Sequence, residues 1–309
     1  MRAVVCTRYG VPEVLRIEEV EKPTPEKDQV CIRVIATAVT SSDCYIRGLN
    51  LPFAYRILAR LALGLTAPRR RILGMVVAGV VESAGPEVRS FKQGDQVFGM
   101  DRHLFGTYAE HVCWPGDGVL AARPVNLTYA EAAAIPFGGL LAMHYLRKAN
   151  VRSGERVLVY GASGAVGSSA VQLASYFGAD VTGVCSAANL ELVKSLGAAT
   201  VIDYTKEDFT SRGEFYDVIF DAVGKRKSSA ALRDCRKALT RDGRCVSVDD
   251  GSPKLLTSDL TTLGQLAEAG KLRPVVDRTF PLEEIVEAHR YVDQGHKRGN
   301  VVITVGREA

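Results

Sequence analysis

The stretch Glu155 to Ala174, ERVLVYGASGAVGSSAVQLA, decides the fold. Val157, Leu158 and Val159 form a short apolar run with β preference, Gly161 to Gly167 is a glycine-rich turn, and Ala170, Val171 and Ala174 begin a set of apolar positions at helical spacing. Strand, tight turn and helix in that order bring backbone N–H groups, at the positive end of a helix dipole, against a pyrophosphate. The turn residues Ala162, Ser163, Gly164, Ala165, Val166 and Gly167 read A-x-G-x-x-G, with alanine at the first glycine of the usual fingerprint. Gly164 leaves room for phosphates, and Gly167 lets the helix lie close to the strand. Alone this is a weak signal. It gains weight because a second strand-like run, Ala179 to Val184, follows the helix and ends at Cys185 and Ser186. That is roughly 20 residues past the turn, where a dinucleotide fold places its ribose reader.

What stands there sets the nucleotide preference. An NAD site puts Asp or Glu at this point to accept hydrogen bonds from the ribose hydroxyls, and such a carboxylate repels a 2′-phosphate. Here the residues are Cys185, Ser186 and Asn189. Ser186 and Asn189 can donate to phosphate oxygens without adding negative charge, so the expected cofactor is NADPH. In the simpler alternative Ser186 only caps the following helix, which allows some NADH use.

Bulk properties narrow the remaining classes. A chain of 309 residues that is 47% hydrophobic can fill two cores. The net charge of +4 is modest, and basic residues are spread out apart from Arg69 to Arg71 and Lys225 to Lys227, which read as solvated loops rather than a phosphate or membrane patch. Neither a nucleic-acid nor a membrane partner is expected. Seven cysteines without a C-x-x-C pair read as neither a disulfide framework nor a zinc knuckle. No run of eighteen or more apolar residues occurs, and MRAVVCTRYG enters a strand-like pattern directly, so a soluble cytoplasmic protein is expected.

Outward from the glycine turn the chain falls into two styles. From Arg2 to about Glu110 short strand-like runs alternate with turn chemistry: Ala3 to Thr7, VCIRVIATAV, MVVAGVVESAG and GDQVFGM, punctuated by Gly85-Pro86 and Gly94-Asp95. Within this half, LNLPFAYRILARLALGLTAPRRR carries Ile57, Leu58, Leu61 and Leu65 at helical spacing. It reads as a helix packed over the domain and a candidate rim for a pocket, with a membrane-surface helix as the other reading. After Ala121 helices and strands alternate, with strand-like runs at Thr200 to Ile202, Tyr216 to Phe220 and Arg244 to Val248. Such alternation implies a doubly wound parallel sheet covered on both faces. From about Gly270 a helix with Ile285, Val286, His289 and Val292 and the strand NVVITV return to the first domain.

The stretches SSDCYIRG, ILGMVVAGVVESAGPEV, FKQGDQVFG, GTYAEHV, EAAAIPFGGLLA, SGERVLVYGASGAVGSSAVQLA, VIDYTKEDF, YDVIFDAVG and EAGKLRPVVDRTFPLEEIVEAH follow in an order that resembles the medium-chain dehydrogenase/reductase superfamily, in its zinc-independent quinone oxidoreductase-like branch. The resemblance implies an α/β protein of two domains: a GroES-like β-rich catalytic domain, residues 1–121 completed by 270–309, and a Rossmann NADP-binding domain, 122–269, with the active site in the cleft between them. The zinc enzymes of the superfamily use a cysteine, a His-Glu pair and a second cysteine, and the corresponding positions here are Thr40, Met75-Val76 and Gly138. None binds zinc well, so no metal is expected. Without a Lewis acid, alkoxide oxidation is hard, whereas a quinone or conjugated enone needs only positioning and a donor for its oxygen. By resemblance Tyr45 is that donor or a pocket-wall aromatic, Thr40 offers a hydroxyl where many relatives have asparagine, and Arg47 is a structural ion-pair partner. Leu141 replaces a threonine that relatives place near the nicotinamide. Tyr204 matches a tyrosine at the adenosine phosphate, Ala222, Val223 and Gly224 lie along the nicotinamide ribose, and Val246, Ser247 and Val248, up to Asp249, approach the ring. The implied function is NADPH-dependent, zinc-independent hydride transfer to a quinone or α,β-unsaturated carbonyl. The alternatives are a 2-enoyl thioester reductase and a non-catalytic NADPH-binding protein. The short link DDGSPKLL, where many relatives extend the sheet edge that often forms their dimer contact, implies a monomer or a dimer that does not use the Rossmann sheet edge.

Overall fold

The computed structural model describes residues 1–49, 57, 60–224 and 234–306. Leu58 of the apolar segment and the Lys225 to Lys227 cluster lie outside the described residues. The chain forms two compact units, one of Met1–Pro136 with Val276–Ala309 and one of Phe137–Val275. The division falls later than residues 121 and 269.

The first unit begins with the hairpin of β1 (Arg2–Cys6) and β2 (Leu15–Glu19). Next comes β3 (Gln29–Val39), along which Val30, Ile32 and Val34 alternate with other residues. Both faces of the strand are covered, because Cys31 and Ile35 are also buried. Helix α1 (Ser41–Gly48) follows, then β4 (Val76–Ala84), β5 (Gln96–Met100), β6 (His111–Pro115), β7 (Leu120–Ala122) and the short helix α2 (Tyr129–Ala133). Contacts of α2 with β3 and β4 place residues past 121 in this unit. Trp114 is buried at the centre, and its indole N–H donates to the Phe105 carbonyl at 3.0 Å.

Helix α3 (Pro136–Lys148) carries the chain into the second unit at Phe137, and strand β8 (Arg156–Tyr160) follows. It continues through α4 (Ala165–Tyr176), β9 (Asp180–Cys185), α5 (Leu190–Ser195), β10 (Thr200–Asp203), β11 (Tyr216–Asp221), β12 (Leu239–Ser247) and α6 (Thr257–Glu268). The five strands lie in the order β10-β9-β8-β11-β12, and every pairing is parallel. Their C-terminal ends therefore share one edge, and the strand order reverses beside β8, where such sheets bind ligands. β12 runs longer than the expected Arg244 to Val248 because its first half continues past a shift in register between Tyr216 and Val218.

The chain then returns to the first unit with β13 (Val276–Pro281), α7 (Ile285–Asp293) and β14 (Asn300–Thr304). β14 pairs antiparallel with β3, opposing Val301 to Val39, so the C-terminal strand completes a sheet begun near the N-terminus. α7 buries Ile285, Ala288, His289 and Val292 along one face, the i, i+3, i+4, i+7 spacing of an amphipathic helix. Among the described residues no helix is long and apolar enough to cross a membrane.

Candidate functional site

In the second unit the glycine turn closes the C-terminal end of β8. Gly161 has φ +79°, a left-handed conformation that a side chain disfavours, and a Cβ there would stand 2.3 Å from the Val223 side chain. The tight turn thus belongs to Gly161, one position before the alanine of the fingerprint. Gly161 and Ala162 both donate their N–H to the Val184 carbonyl at 3.0 Å, which ties the turn to the neighbouring strand. A Cβ at Gly167 would lie 2.1 Å from the Gly161 carbonyl oxygen, so only glycine lets α4 approach the strand this closely. Gly164, the N-cap, differs: its Cβ would meet nothing nearer than the Gly161 oxygen at 3.6 Å. The amides of the first turn, at Ala165, Val166 and Gly167, have no acceptor within the helix and no capping side chain, which leaves an anion-binding helix start with open space before it. These features fit a pyrophosphate.

At the end of β9 the polar residues form a cluster. The Asn189 side-chain amide donates to Ser163 Oγ at 3.2 Å and to Ser186 Oγ at 3.1 Å, so it joins the glycine turn to the second strand end. Its amide hydrogens are therefore engaged by the two serines, and Asn189 itself is buried. Each serine accepts from Asn189 and keeps its own O–H for another acceptor. Ser186 occupies an N-cap position, yet its side chain makes no capping bond. Tyr204 is 51% exposed just past β10, its N–H donating to the Cys185 carbonyl at 3.1 Å. One carboxylate that the sequence reading passed over, Asp203, is in register with Cys185. Its Oδ1 accepts from the Thr205 amide at 3.0 Å and hydroxyl at 2.7 Å, and the Thr205 hydroxyl holds the carboxyl below its usual range.

The ends of β11 and β12 are joined by Asp221. Oδ1 accepts from the amides of Val223 and Gly224, each at 3.0 Å, and Oδ2 accepts from the Ser247 hydroxyl at 2.9 Å. Burial pushes this carboxyl up despite those donors. One buried side chain thereby shapes Ala222, Val223 and Gly224 and fastens them to Val246 and Ser247, while the Val248 carbonyl accepts from the Tyr145 hydroxyl at 2.7 Å. Asp221 was not singled out from the sequence, although it is the aspartate of FDAVG.

In the first unit Thr40 caps α1. Its hydroxyl donates to Asp43 Oδ2 at 2.6 Å and accepts from the Asp43 amide at 3.2 Å, a reciprocal capping box. With its proton on Asp43 and its side chain buried, Thr40 holds the start of the helix that carries Tyr45. Tyr45 is 39% exposed on that helix. Arg47 is buried, donating to the Gly10 carbonyl at 2.7 Å and pairing with Asp293, the ion-pair role expected of it. Met75 and Val76 are buried, and a Cβ at Gly138 would meet the Ala165 carbonyl at 2.1 Å, so no ligating side chain fits there. Among the described residues no group of three or more His, Cys, Asp or Glu could hold a metal ion.

Two buried titratable groups in this unit pull stability in opposite directions with pH. Burial pushes Asp43 up to about 6 from 3.8, and burial, then Arg47, pushes His289 down to about 3 from 6.5. For Asp43 the folded state holds its proton more tightly, so its contribution is full below the unfolded value and lost as pH rises through about 6. For His289 the contribution is full above 6.5 and lost as pH falls toward 3. The slopes oppose each other between about pH 4 and 6. Asp43→Asn removes one of them, so the variant is expected to lose stability on acidification across this window by up to about 1.4 kcal/mol per pH unit more than wild type. Urea unfolding at a series of pH values measures this, and parallel curves for the two proteins would contradict it.

Comparison with known proteins agrees with this architecture. Residues 26–125 match the family described as "Alcohol dehydrogenase GroES-like domain", and residues 165–267 and 252–303 match families described as "Zinc-binding dehydrogenase". The 2-methylene-furan-3-one reductase of Solanum lycopersicum is 35% identical over 325 residues, which cover 98% of this chain and 79% of that protein. The chloroplastic NADPH-dependent alkenal/one oxidoreductase of Arabidopsis thaliana is 33% identical over 98% of this chain and 79% of its own. Among solved structures, the quinone oxidoreductase from Coxiella burnetii superposes with a TM-score of 0.87 at 28% identity, covering 99% of both chains. With a GroES-like first unit, an all-parallel Rossmann-type second unit and relatives that match it almost end to end, the chain belongs to the medium-chain dehydrogenase/reductase superfamily, in its quinone oxidoreductase-like branch.

Proposed function

We propose that this chain is an NADPH-dependent oxidoreductase that transfers hydride to a quinone or an α,β-unsaturated carbonyl without a metal. The observation that carries the reading is one sheet edge with an uncapped, open helix start at Gly164 and two serine hydroxyls held beside it by Asn189. The names of the two curated relatives, a furanone reductase and an NADPH-dependent alkenal/one oxidoreductase, support the same substrate class.

When bound, the nicotinamide supplies the hydride. The amides of Ala165 to Gly167 would hold the pyrophosphate, Ser163 and Ser186 the adenosine phosphate with Tyr204 beside it, and Ala222–Gly224 and Val246–Val248 would lie toward the nicotinamide end. A conjugated acceptor takes hydride at the carbon conjugated to its oxygen, which then carries the charge and needs a donor. The Tyr45 hydroxyl is that donor, and Thr40 acts indirectly by fixing the first turn of α1. The donor set at Thr40, Met75-Val76 and Gly138 supports chemistry without zinc.

NADPH oxidation measured in parallel with 1,2-naphthoquinone, an enal and crotonyl thioester, after exhaustive chelation, tests the proposal. Activity toward the quinone or enal is expected to survive, with simple alcohols very poor substrates. Stoichiometric zinc on which activity depends would refute it, turnover of the thioester alone would make the chain an enoyl thioester reductase, and NADPH binding without turnover would make it a non-catalytic nucleotide binder. Tyr45→Phe is expected to lower kcat for the enal about tenfold or more. Unchanged kinetics would leave Tyr45 as packing.

The working assembly is a monomer, or a dimer that does not join through β12. Support comes from β12 lying at the sheet edge and leading into α6 through a short link. Light scattering with an interface map decides, and a dimer joined edge to edge through these sheets would overturn it. A cytoplasmic site of action and the absence of nucleic-acid and membrane partners belong to the same proposal, supported by seven free cysteines and dispersed charge. Localisation of a tagged full-length chain tests the first, and retention on a nucleic-acid column or on anionic vesicles would overturn the second.

A further inference from the structure

Two cysteines that the hydride chemistry does not use meet in the second unit. Cys235 opens a short 3-10 turn, Cys235–Ala238, that leads into β12, and Cys245 lies in the second half of the same strand. Their sulfurs are 3.3 Å apart in an S–H···S hydrogen bond. Cys235 is 7% exposed, whereas Cys245 is exposed to solvent, so a small reagent reaches the pair from one side. Cys245 sits on the edge strand, which among the described residues pairs with β11 alone, and Cys235 lies in the turn that leads into it.

We propose that Cys235 and Cys245 are a reversible dithiol–disulfide pair that exchanges with low-molecular-weight disulfides such as glutathione disulfide. The hydrogen bond shared with the Cys245 thiol, and then the charge of Arg236, draw the ionisation of Cys235 down to about 7, so a thiolate is available near neutrality. That thiolate attacks one sulfur of the reagent and expels one glutathione thiolate, which leaves a mixed disulfide on the protein. The second cysteine loses its proton to solvent, attacks the protein sulfur of that mixed disulfide and expels the other glutathione thiolate, and both leaving groups take up protons. Two protein thiols are thus oxidised by two electrons, and one disulfide is reduced to two thiols. The sulfurs already lie 3.3 Å apart, so the mixed disulfide forms beside its resolving thiol.

The link fastens the 3-10 turn to β12 at the residue before Val246. The inference stands on the sulfur geometry and is independent of the hydride reading.

The full-length reduced protein, treated with glutathione disulfide at neutral pH, is blocked with an alkylating reagent in denaturant and mapped by mass spectrometry. The expected result is a cross-linked peptide pair joining Cys235 to Cys245, lost on treatment with dithiothreitol and absent from Cys245→Ser, a change at an exposed position. Alkylation of both cysteines after exposure to the reagent, or glutathione adducts on either without the link in wild type, would overturn the proposal.

Discussion

Gly164→Ala is expected to change stability by no more than about 1 kcal/mol while weakening NADPH binding about tenfold or more, whereas Gly167→Ala is expected to cost about 2 kcal/mol of stability and to weaken binding as well. The two glycines share a fingerprint but meet different neighbours. At Gly164 the backbone is extended, with φ −78° and ψ 178°, which alanine adopts freely, and the added carbon enters open space 3.6 Å from the nearest oxygen. The remaining cost is the poorer N-cap quality of alanine, and the loss of affinity comes from a methyl group standing where the phosphates approach the amides of α4. At Gly167 the added carbon meets the Gly161 carbonyl oxygen at 2.1 Å and the Ala162 Cα at 2.8 Å, both backbone atoms that cannot swing aside. Alanine's better helix propensity, worth about 1 kcal/mol, offsets part of that strain. Urea unfolding and fluorescence titration with NADPH separate the two effects. Equal destabilisation by both changes, or full NADPH affinity in Gly164→Ala, would mean that the open face of this turn is not the phosphate site.

How much of this was legible in the sequence depended on the range of the interaction. The strand–turn–helix of residues 155–174 and the strands after it could be read because apolar runs and glycines are local signals, and the parallel order followed from their alternation with helices. The doubly buried state of β3 could not, since Cys31 lies against Glu82 and Ile35 against Gly306, both far away in sequence. Ser186 and Asn189 could be picked out by position at the end of the second strand, with Asn189 read as a phosphate donor. Its amide donates to Ser163, 26 residues earlier, a pairing that only the fold creates. Thr40 is the opposite case. The T-x-x-D of Thr40 to Asp43 is a capping-box pattern written in four residues, and the resemblance to relatives drew attention to a substrate role instead. Asp221 lay in plain view in FDAVG, but nothing local shows that one carboxylate receives two amides and a hydroxyl from the next strand.

The preference for NADPH over NADH is expected to be roughly 1 to 3 kcal/mol, about five- to 150-fold in dissociation constant, and Ser186→Asp is expected to abolish most of it. The 2′-phosphate is the only difference between the cofactors, so the preference measures what surrounds it. Ser163 and Ser186 each accept a hydrogen bond from Asn189, so their own hydrogens are free to turn toward a further acceptor, which in the proposed site would be a phosphate oxygen. Bonds from a neutral donor to a charged oxygen lie at the strong end of the hydrogen-bond range, and two of them set the scale given above. The gain stays moderate for a definite reason. Asp203 stands in register with Cys185 and remains ionised, although Thr205 satisfies one of its oxygens. With Lys206 at 4.0 Å from Oδ2, its charge is expected to oppose a phosphate at the proposed site only weakly. Ser186→Asp brings a carboxylate to the end of β9, where it repels the 2′-phosphate and accepts from the ribose hydroxyls of NADH. Asp203→Asn moves affinity the other way, strengthening NADPH binding and leaving NADH nearly unchanged. Titration of the three proteins with both cofactors gives six dissociation constants; equal or tighter NADH binding by wild type, or a preference untouched by Ser186→Asp, would place the adenosine phosphate elsewhere.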